Sequence, residues 1–348
     1  MAKYDKQGLD FFIKMNMQNP PKPTPTNWFV RIADDTSIDK HTVCGFEFTL
    51  DKREDSFGIA EGASPDMNFR NAFLPEEGHY VVSRDFSGQE LRILANLANE
   101  QIWIDAFMNG NDIHEATART LWSDIPYDKS LRKKAKAINF GLVYGISAIA
   151  LGEQLGVTTE EAQGYMDKYF EKLPNIKAYL DKQARTAERD GELANAYGRK
   201  RRFKNFIEEG KMKGEGIRRS YNFPIQSMGA EVTKLAIIKL YNKLYNNPEY
   251  KDKVLFMSTI HDEINSSVDK SIVAEVAKLK GELMLHMIPG KVVPVLTGLE
   301  VGNTMGLTWK FMEGTNKDGK TVLIPEVNEV LDEDKWNKIL KYSNLLKK

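Results

Sequence analysis

"RDFSGQELRILANLANE" (residues 84–100) sets one acidic residue, Asp85, at the end of a strand-like run and at the start of a helical pattern. Ahead of it, Tyr80-Val81-Val82-Ser83 has the β-branched and aromatic composition of a strand, whereas Leu91, Leu94, Ala95 and Ala98 behind it recur at helical spacing. Asp85 therefore occupies a strand-to-helix corner. A carboxylate at the end of a strand can hold a cation, and an Asp at such a turn equally caps the helix that follows. The corner alone leaves both readings open, and the rest of the chain has to decide.

At 348 residues the chain has room for two packed units or one large unit with a subdomain. Its 49 basic and 49 acidic residues cancel, so any anion-binding surface must be local, and a polyanionic partner is neither suggested nor excluded. The single cysteine, Cys44, rules out an internal disulfide and a cysteine-rich zinc site, and fits a reducing interior. "MAKYDKQGLDFF" (1–12) lacks the basic-then-apolar plan of a signal peptide, and no run approaches the roughly 20 apolar residues that span a bilayer. These features predict a cytoplasmic protein with no membrane partner.

The first 66 residues carry a proline-broken segment, "NPPKPTPTNW", and then "CGFEFTLDKREDSFG", which has the pattern of a strand and a charged loop. A strand is expected at 79–84 and a helix from the Asp85 turn to about 99, followed by helices at 101–109, 112–122, 129–144, 159–171 and 174–190. "ELANAYGRKRRF" (192–203) reads as a turn with short strands and a basic cluster, and a long helix is expected over 226–245. "VLFMSTIHDEINSSVD" (254–269) reads as two strands around a turn at His261-Asp262, succeeded by a helix at 271–287 and a strand at 292–301. The tail from 313 to 348 passes from acidic to basic and is most simply a solvated helix or appendage.

Within "RKKAKAINFGLVYG", Arg132, Lys136, Phe140 and Tyr144 are each four residues apart, so they share one slowly drifting stripe of a helix. Such a stripe is either a solvated cationic end joined to an aromatic core end, or a cradle in which the cations take phosphate oxygens and Phe140 stacks on a base. In "TIHDEINSSV", Asp262 and Glu263 stand at a hairpin tip, where turn chemistry alone favours Asp. If the strands carrying Asp85 and Asp262 are neighbours, the two carboxylates converge, and carboxylate with phosphate oxygens is the ligand set Mg²⁺ prefers. Two such ions about 3.5–4 Å apart support in-line phosphoryl displacement.

Taken in order, these segments resemble the polymerase module of the DNA polymerase I family, family A. "DFSGQELRIL" is similar to motif A, "RKKAKAINFGLVYG" to the Arg-x3-Lys-x3-Phe-Gly-x2-Tyr-Gly pattern of motif B, and "HDE" to motif C. "NGNDIH", "YGRKRR" and "NFPIQSMGAE" also follow the family, and the likeness covers residues 68 to 312. The resemblance implies an α+β right-hand fold, with an antiparallel-sheet palm (68–100 and 205–312) interrupted by helical fingers (101–204) and flanked by an N-terminal segment (1–67) and a C-terminal appendage (313–348). It implies a template-directed DNA polymerase that acts on deoxynucleoside triphosphates and primer-template DNA with two Mg²⁺ ions.

Residue by residue, the resemblance assigns Asp85 and Asp262 to the metals, with the Phe86 carbonyl assisting and Glu263 close by. It assigns Arg132, Lys136 and His114 to the triphosphate, Lys136 also to catalysis, Phe140 to stacking on the nucleotide and Tyr144 to the foot of the helix. Glu90 would exclude a ribose 2′-hydroxyl. Arg218, Asn222 and Gln226 would touch primer and template, His261 would lie beside the primer end, and Arg199 and Arg201 would lie along the DNA backbone with Lys133, Lys134, Arg202, Lys204, Lys211 and Lys213. Phe140 in place of Tyr would discriminate against dideoxynucleotides.

Two departures stand out. Gly88-Gln89 replaces the family's Gln-Ile, and the helical thumb and exonuclease domain that precede the palm in the family have no counterpart ahead of the matched region. "MNMQNPP" resembles the family's "NLQNIP", with Leu9 where the family has an arginine. The expectation is that a separate polypeptide supplies the thumb and proofreading, in a phage-type system acting in a bacterial host cytoplasm. The competing readings are a single-subunit RNA polymerase relative, from which Glu90, Asn139-Phe140 and Asp262-Glu263 lean away, and a non-catalytic DNA-binding accessory.

Overall fold

The computed structural model describes residues 40–49, 70, 73–208, 211–316 and 318–325. Leu9, "MNMQNPP" and most of the N-terminal segment lie outside them, as does the tail from 326. The chain divides into two compact units, one of Met1–Phe86, Ala236–Met284 and Thr297–Lys348, the other of Ser87–Leu235 and Leu285–Leu296.

The first unit is built on a six-stranded antiparallel sheet. A small hairpin, β1 (Lys40–Val43) and β2 (Phe46–Thr49), turns through Cys44-Gly45. The sheet itself starts with β3 (His79–Phe86), whose Val81 and Val82 are fully buried.

The second unit is mainly helical: α1 (Gln89–Ala98), α2 (Gln101–Met108), α3 (Ile113–Leu121), α4 (Lys129–Val143), α5 (Ala148–Leu155), α6 (Thr159–Lys172) and α7 (Pro174–Asp190). Two small hairpins follow, β4 (Glu192–Ala194) with β5 (Lys200–Arg202) and β6 (Ile207–Glu208) with β7 (Lys211–Met212). Then comes α8 (Gly214–Leu240), which starts in the second unit and ends in the first. The sheet is completed by β8 (Val254–Ile260), β9 (Glu263–Asp269), the helix α9 (Val273–Met284), β10 (Thr297–Thr304), β11 (Leu307–Thr315) and β12 (Thr321–Pro325), in the order β12-β11-β10-β3-β9-β8.

Four differences from the sequence expectations have physical causes. The helix expected from 226 starts at Gly214 and carries Pro224 in its interior, so the proline costs one backbone bond without ending the helix. The strand expected at 292–301 is Thr297–Thr304, displaced past Pro294, which has no N–H to give to a ladder. The helix α5, unforeseen in a short stretch containing Gly152, is capped by Ser147. The expected appendage from 313 is corrected as far as 325, because β11 and β12 pair antiparallel and bury Leu323 and Ile324.

Packing also groups the chain differently from motif order. The helix α1 is bound to its own unit by Asn96, which exchanges hydrogen bonds of 2.8 and 3.0 Å with the Val293 backbone, and by Gln89 reaching Thr233 on α8.

Candidate active site

Asp85 is the penultimate residue of β3, the strand flanked by β9 and β10. Side chains alternate across a sheet, so Asp85 and Ser83 share one face and Arg84 takes the other. In register, Asp85 lies opposite Glu263 on β9 and Gly298 on β10. The β8–β9 loop is only two residues, His261 and Asp262, since Ile260 pairs with Glu263. His261 accordingly takes φ +55°, a left-handed conformation that costs a non-glycine residue roughly 1–2 kcal/mol. This tight turn returns Asp262 to the end of β3, where the Phe86 N–H reaches its carbonyl at 3.4 Å. The structure thus brings Asp85, Asp262 and Glu263 together, with Phe86 and His261 adjoining them.

The three carboxylates are not equivalent. Arg70 donates to both Glu263 oxygens at 2.6 and 2.8 Å, and Ser83 Oγ donates at 2.8 Å, so Glu263 is already neutralised. Neither Asp85 nor Asp262 forms an ion pair among the described residues. Burial first, then the charge and hydrogen bond of Asp262, then the charges of Glu263 and Glu300, push the Asp85 carboxyl up to about 7, although its side chain reaches solvent at the sheet's end. Among the described residues no group of three or more His, Cys, Asp or Glu side chains is arranged to hold a metal. What remains is two uncompensated hard oxygen donors. That set fits Mg²⁺, which binds through one or two carboxylates and completes its shell with water and phosphate oxygens.

Behind this centre lie residues that the sequence reading passed over. Lys280 on α9 is fully buried and donates to the carbonyls of Val82 on β3 and Ile264 on β9 and to Ser266 Oγ, at 2.8, 2.7 and 2.9 Å. Burial drives its ammonium well below the usual lysine range. Arg84, also buried, donates to the Ala277 carbonyl at 2.7 Å and pairs with Glu313. Gly281 admits it, since a Cβ there would stand 2.7 Å from the guanidinium. The available signal was Lys280 itself, on the face of α9 that buries Val276, Ala277 and Met284.

In the second unit, α4 starts at Asp128, which caps Ser130 and Leu131, and buries Leu131, Ala135, Ile138, Asn139, Leu142 and Val143. Arg132, Phe140 and Tyr144 are half-buried and Lys136 is exposed, so the stripe faces outward along one edge. Arg132 pairs with Asp112 at 2.6 Å, whereas Lys136 has no ion pair among the described residues. His114 on α3 lies 5.5 Å from the Phe140 ring, centroid to centroid, tilted by 48°. Burial, aided by Arg132 and Lys136 and opposed by Asp112, lowers His114 to about 4. Tyr144 Oη donates to the Glu90 carboxylate.

A cavity of about 520 Å³ opens beside this stripe, lined by Phe140, Gly141, Tyr144, Gly145, Ile146 and Arg218 among others. Gly145 has φ +70°, and a Cβ there would meet Arg218 Cγ at 2.8 Å, so only glycine lets α8 approach the end of α4. Arg218, Asn222 and Gln226 follow at helical spacing along one side of α8. Arg199 and Arg201 belong to the β4–β5 hairpin, which Asn195 joins to Ser227 of α8; there Arg199 pairs with Glu231 and Arg201 lies 5.8 Å from the Phe203 ring.

Residues 59–310 match the model described as DNA polymerase family A. The chain belongs to that family. This family A chain is 37% identical over 236 residues to DNA polymerase I of Caldicellulosiruptor bescii, covering 66% of itself and 27% of that protein. It is 34% identical over 247 residues to the thermostable DNA polymerase I of Thermus aquaticus, covering 70% of itself and 28% of that protein. The chain therefore spans little more than a quarter of the length of these two relatives. A solved POL domain of Pol1 from M. smegmatis, in complex with DNA primer-template and dNTP, superposes with a TM-score of 0.64 at 27% identity, covering 76% of this chain and 46% of that one. The architecture is the α+β right-hand fold of family A.

Proposed function

We propose that the chain is the catalytic part of a template-directed DNA polymerase, in which a primer 3′-hydroxyl attacks the α-phosphate of a deoxynucleoside triphosphate and pyrophosphate leaves. The observation that carries this reading is the adjacent, uncompensated pair Asp85 and Asp262 in a family A chain. The two carboxylates would hold Mg²⁺ with help from the Phe86 carbonyl. When bound, the ions activate the attacking hydroxyl and offset charge on the leaving oxygen.

Lys136, which has no ion pair among the described residues, donates to the triphosphate together with Arg132 and His114, and Phe140 stacks on the base. Glu90, fixed by Tyr144, stands against a ribose 2′-hydroxyl. Arg218, Asn222 and Gln226 present one row of polar groups for primer and template, His261 lies at the primer end, and Arg199 and Arg201 add backbone contacts that weaken with salt.

Primer extension with Mg²⁺ tests the reading. Asp262→Ala should lower the rate by about a thousandfold or more, the worth of several kcal/mol. Unchanged synthesis would leave a DNA-binding accessory instead, and equal use of ribonucleotides would indicate an RNA polymerase. The proposal extends to a second polypeptide that supplies the thumb and proofreading, in a phage-type system of the bacterial cytoplasm. Short products from this chain should then lengthen when the products of neighbouring reading frames are added, and long products from the chain alone refute this part.

A further inference from the structure

Asn139 is fully buried on the otherwise apolar face of α4, and its Oδ1 has no hydrogen-bond partner. An amide so placed costs stability, which prompts the question of what its nitrogen does. Nδ2 lies 3.2 Å from Thr117 Oγ1 and 3.0 Å from His114 Nδ1. The Thr117 hydroxyl hydrogen is committed to the Ile113 carbonyl, one turn back at 2.8 Å, so Oγ1 meets Asn139 as an acceptor. That fixes the amide's orientation. Turned over, its oxygen would face the hydroxyl's lone pairs and the NH₂ group would be the one left unpaired. The second Nδ2 hydrogen then points at His114 Nδ1, which must be bare to accept it. Since a neutral imidazole carries one proton, that proton sits on Nε2. Nε2 has no hydrogen-bond partner among the described residues.

We propose that Asn139 is a positioning residue that holds His114 as the neutral ring protonated at Nε2 alone, so that the ring offers a single N–H donor to the phosphate chain of a bound nucleotide. The ligand in this statement rests on the polymerase reading above, whereas the tautomer does not. The charged groups acting on the ring are Asp112, which favours the imidazolium, and Arg132 and Lys136, which oppose it. With burial, the balance keeps the ring neutral at physiological pH and leaves its one donor to be set by Asn139.

The test is long-range ¹H–¹⁵N NMR on the full chain labelled at histidine. There are five histidines, so His114→Gln assigns the ring unambiguously. The expected spectrum has His114 Nδ1 as a bare, pyridine-type nitrogen and Nε2 as a protonated, pyrrole-type nitrogen from pH 5.5 to 8.5. Tripolyphosphate should shift the Nε2 resonance. Asn139→Asp should move the proton to Nδ1 and raise the titration of the ring by more than about one pH unit, because the new carboxylate accepts where the amide donated. A merely structural asparagine predicts neither change. A wild-type ring protonated at Nδ1, an Asn139→Asp ring with unaltered tautomer and titration, or an Nε2 resonance that ignores tripolyphosphate would each overturn the proposal. Primer extension is a separate measurement: a chain that makes no DNA but shows the expected spectra loses the polymerase reading and keeps this one.

Discussion

The acidic centre of the sheet and the cationic stripe of α4 handle charge in opposite ways. On the α4 stripe, Arg132 has Asp112 and Tyr144 has Glu90, so of the stripe's two cations only Lys136 is without an ion pair among the described residues before any ligand arrives. At the sheet, Glu263 is balanced by Arg70, yet Asp85 and Asp262 meet each other with no cationic partner among the described residues. A helix end can adapt long side chains to a partner. A carboxylate at the end of a buried strand cannot move away from its neighbour, because the register that places Asp85 opposite Glu263 also holds the core. Charge left unbalanced on a rigid element marks where a ligand is needed more sharply than charge exposed on a surface helix.

The largest expected effect removes that imbalance. The folded-state value of Asp85, about 7, lies above its ordinary 3.8, so the folded chain binds this proton more tightly than the unfolded chain does. The stabilisation is present at low pH and is lost as pH rises from about 4 through 7. Above that window Mg²⁺ should restore it, by roughly 2.7 kcal/mol when the ion is at a hundred times its Kd. Asp85→Asn should abolish primer extension, flatten the fall of Tm between pH 5 and 8.5, raise the metal-free Tm at pH 8 and cancel the gain from Mg²⁺. Thermal melts with EDTA or Mg²⁺ across that range check this. A less stable Asn variant at pH 8, or one that gains as much from Mg²⁺ as the parent, would remove the contrast drawn between the two regions.

Next in size is the support behind the acidic pair. Lys280 ties the carbonyls of two neighbouring strands, one carrying Asp85 beside its last residue and the other starting just after Asp262. Lys280→Ala deletes three satisfied hydrogen bonds and leaves a cavity, which should cost on the order of 3 kcal/mol in urea unfolding followed by a probe in the sheet. Lys280→Met fills most of that space and should recover part of the loss. Equal destabilisation by the two variants would mean that the hydrogen bonds, rather than the packing, hold the strands.

How far the sequence foresaw this depends on the range of each interaction. The strand and helix around Asp85 were legible because a β-branched and aromatic run gives way to helical spacing within a few residues, and the stripe on α4 because four-residue spacing is local. The Asp262 turn was legible from its flanking strands. The pairing of Arg70 with Glu263 was not, nor was Lys280 beneath β3, because each joins segments far apart in the chain and depends on a register that no window of sequence contains. Strand β12 was hidden for the same reason: "TVLIP" is too short to announce itself, and only pairing with β11 gives it a place. The family resemblance supplied the convergence of Asp85 and Asp262, but not the difference between Asp262, left open, and Glu263, neutralised.

The smallest effect sharpens the comparison from the side of α4. Asp112 both caps α3, accepting from the Glu115 N–H at 2.8 Å, and pairs with Arg132. Replacement by Ala would confound the two roles, since losing a cap alone costs about 1 kcal/mol. Asp112→Asn keeps a capping oxygen and removes the charge, which frees the guanidinium and takes away the one group that favours a charged His114. Exposed pairs of this kind contribute about 0–1 kcal/mol, so the half-saturating nucleotide concentration should fall by no more than about fivefold, and less at high salt, with Tm nearly unchanged. A larger fall would show that Asp112 restrains Arg132 as firmly as Arg70 restrains Glu263. The two regions would then differ in which charge waits for the ligand, and no longer in whether the waiting charge is balanced.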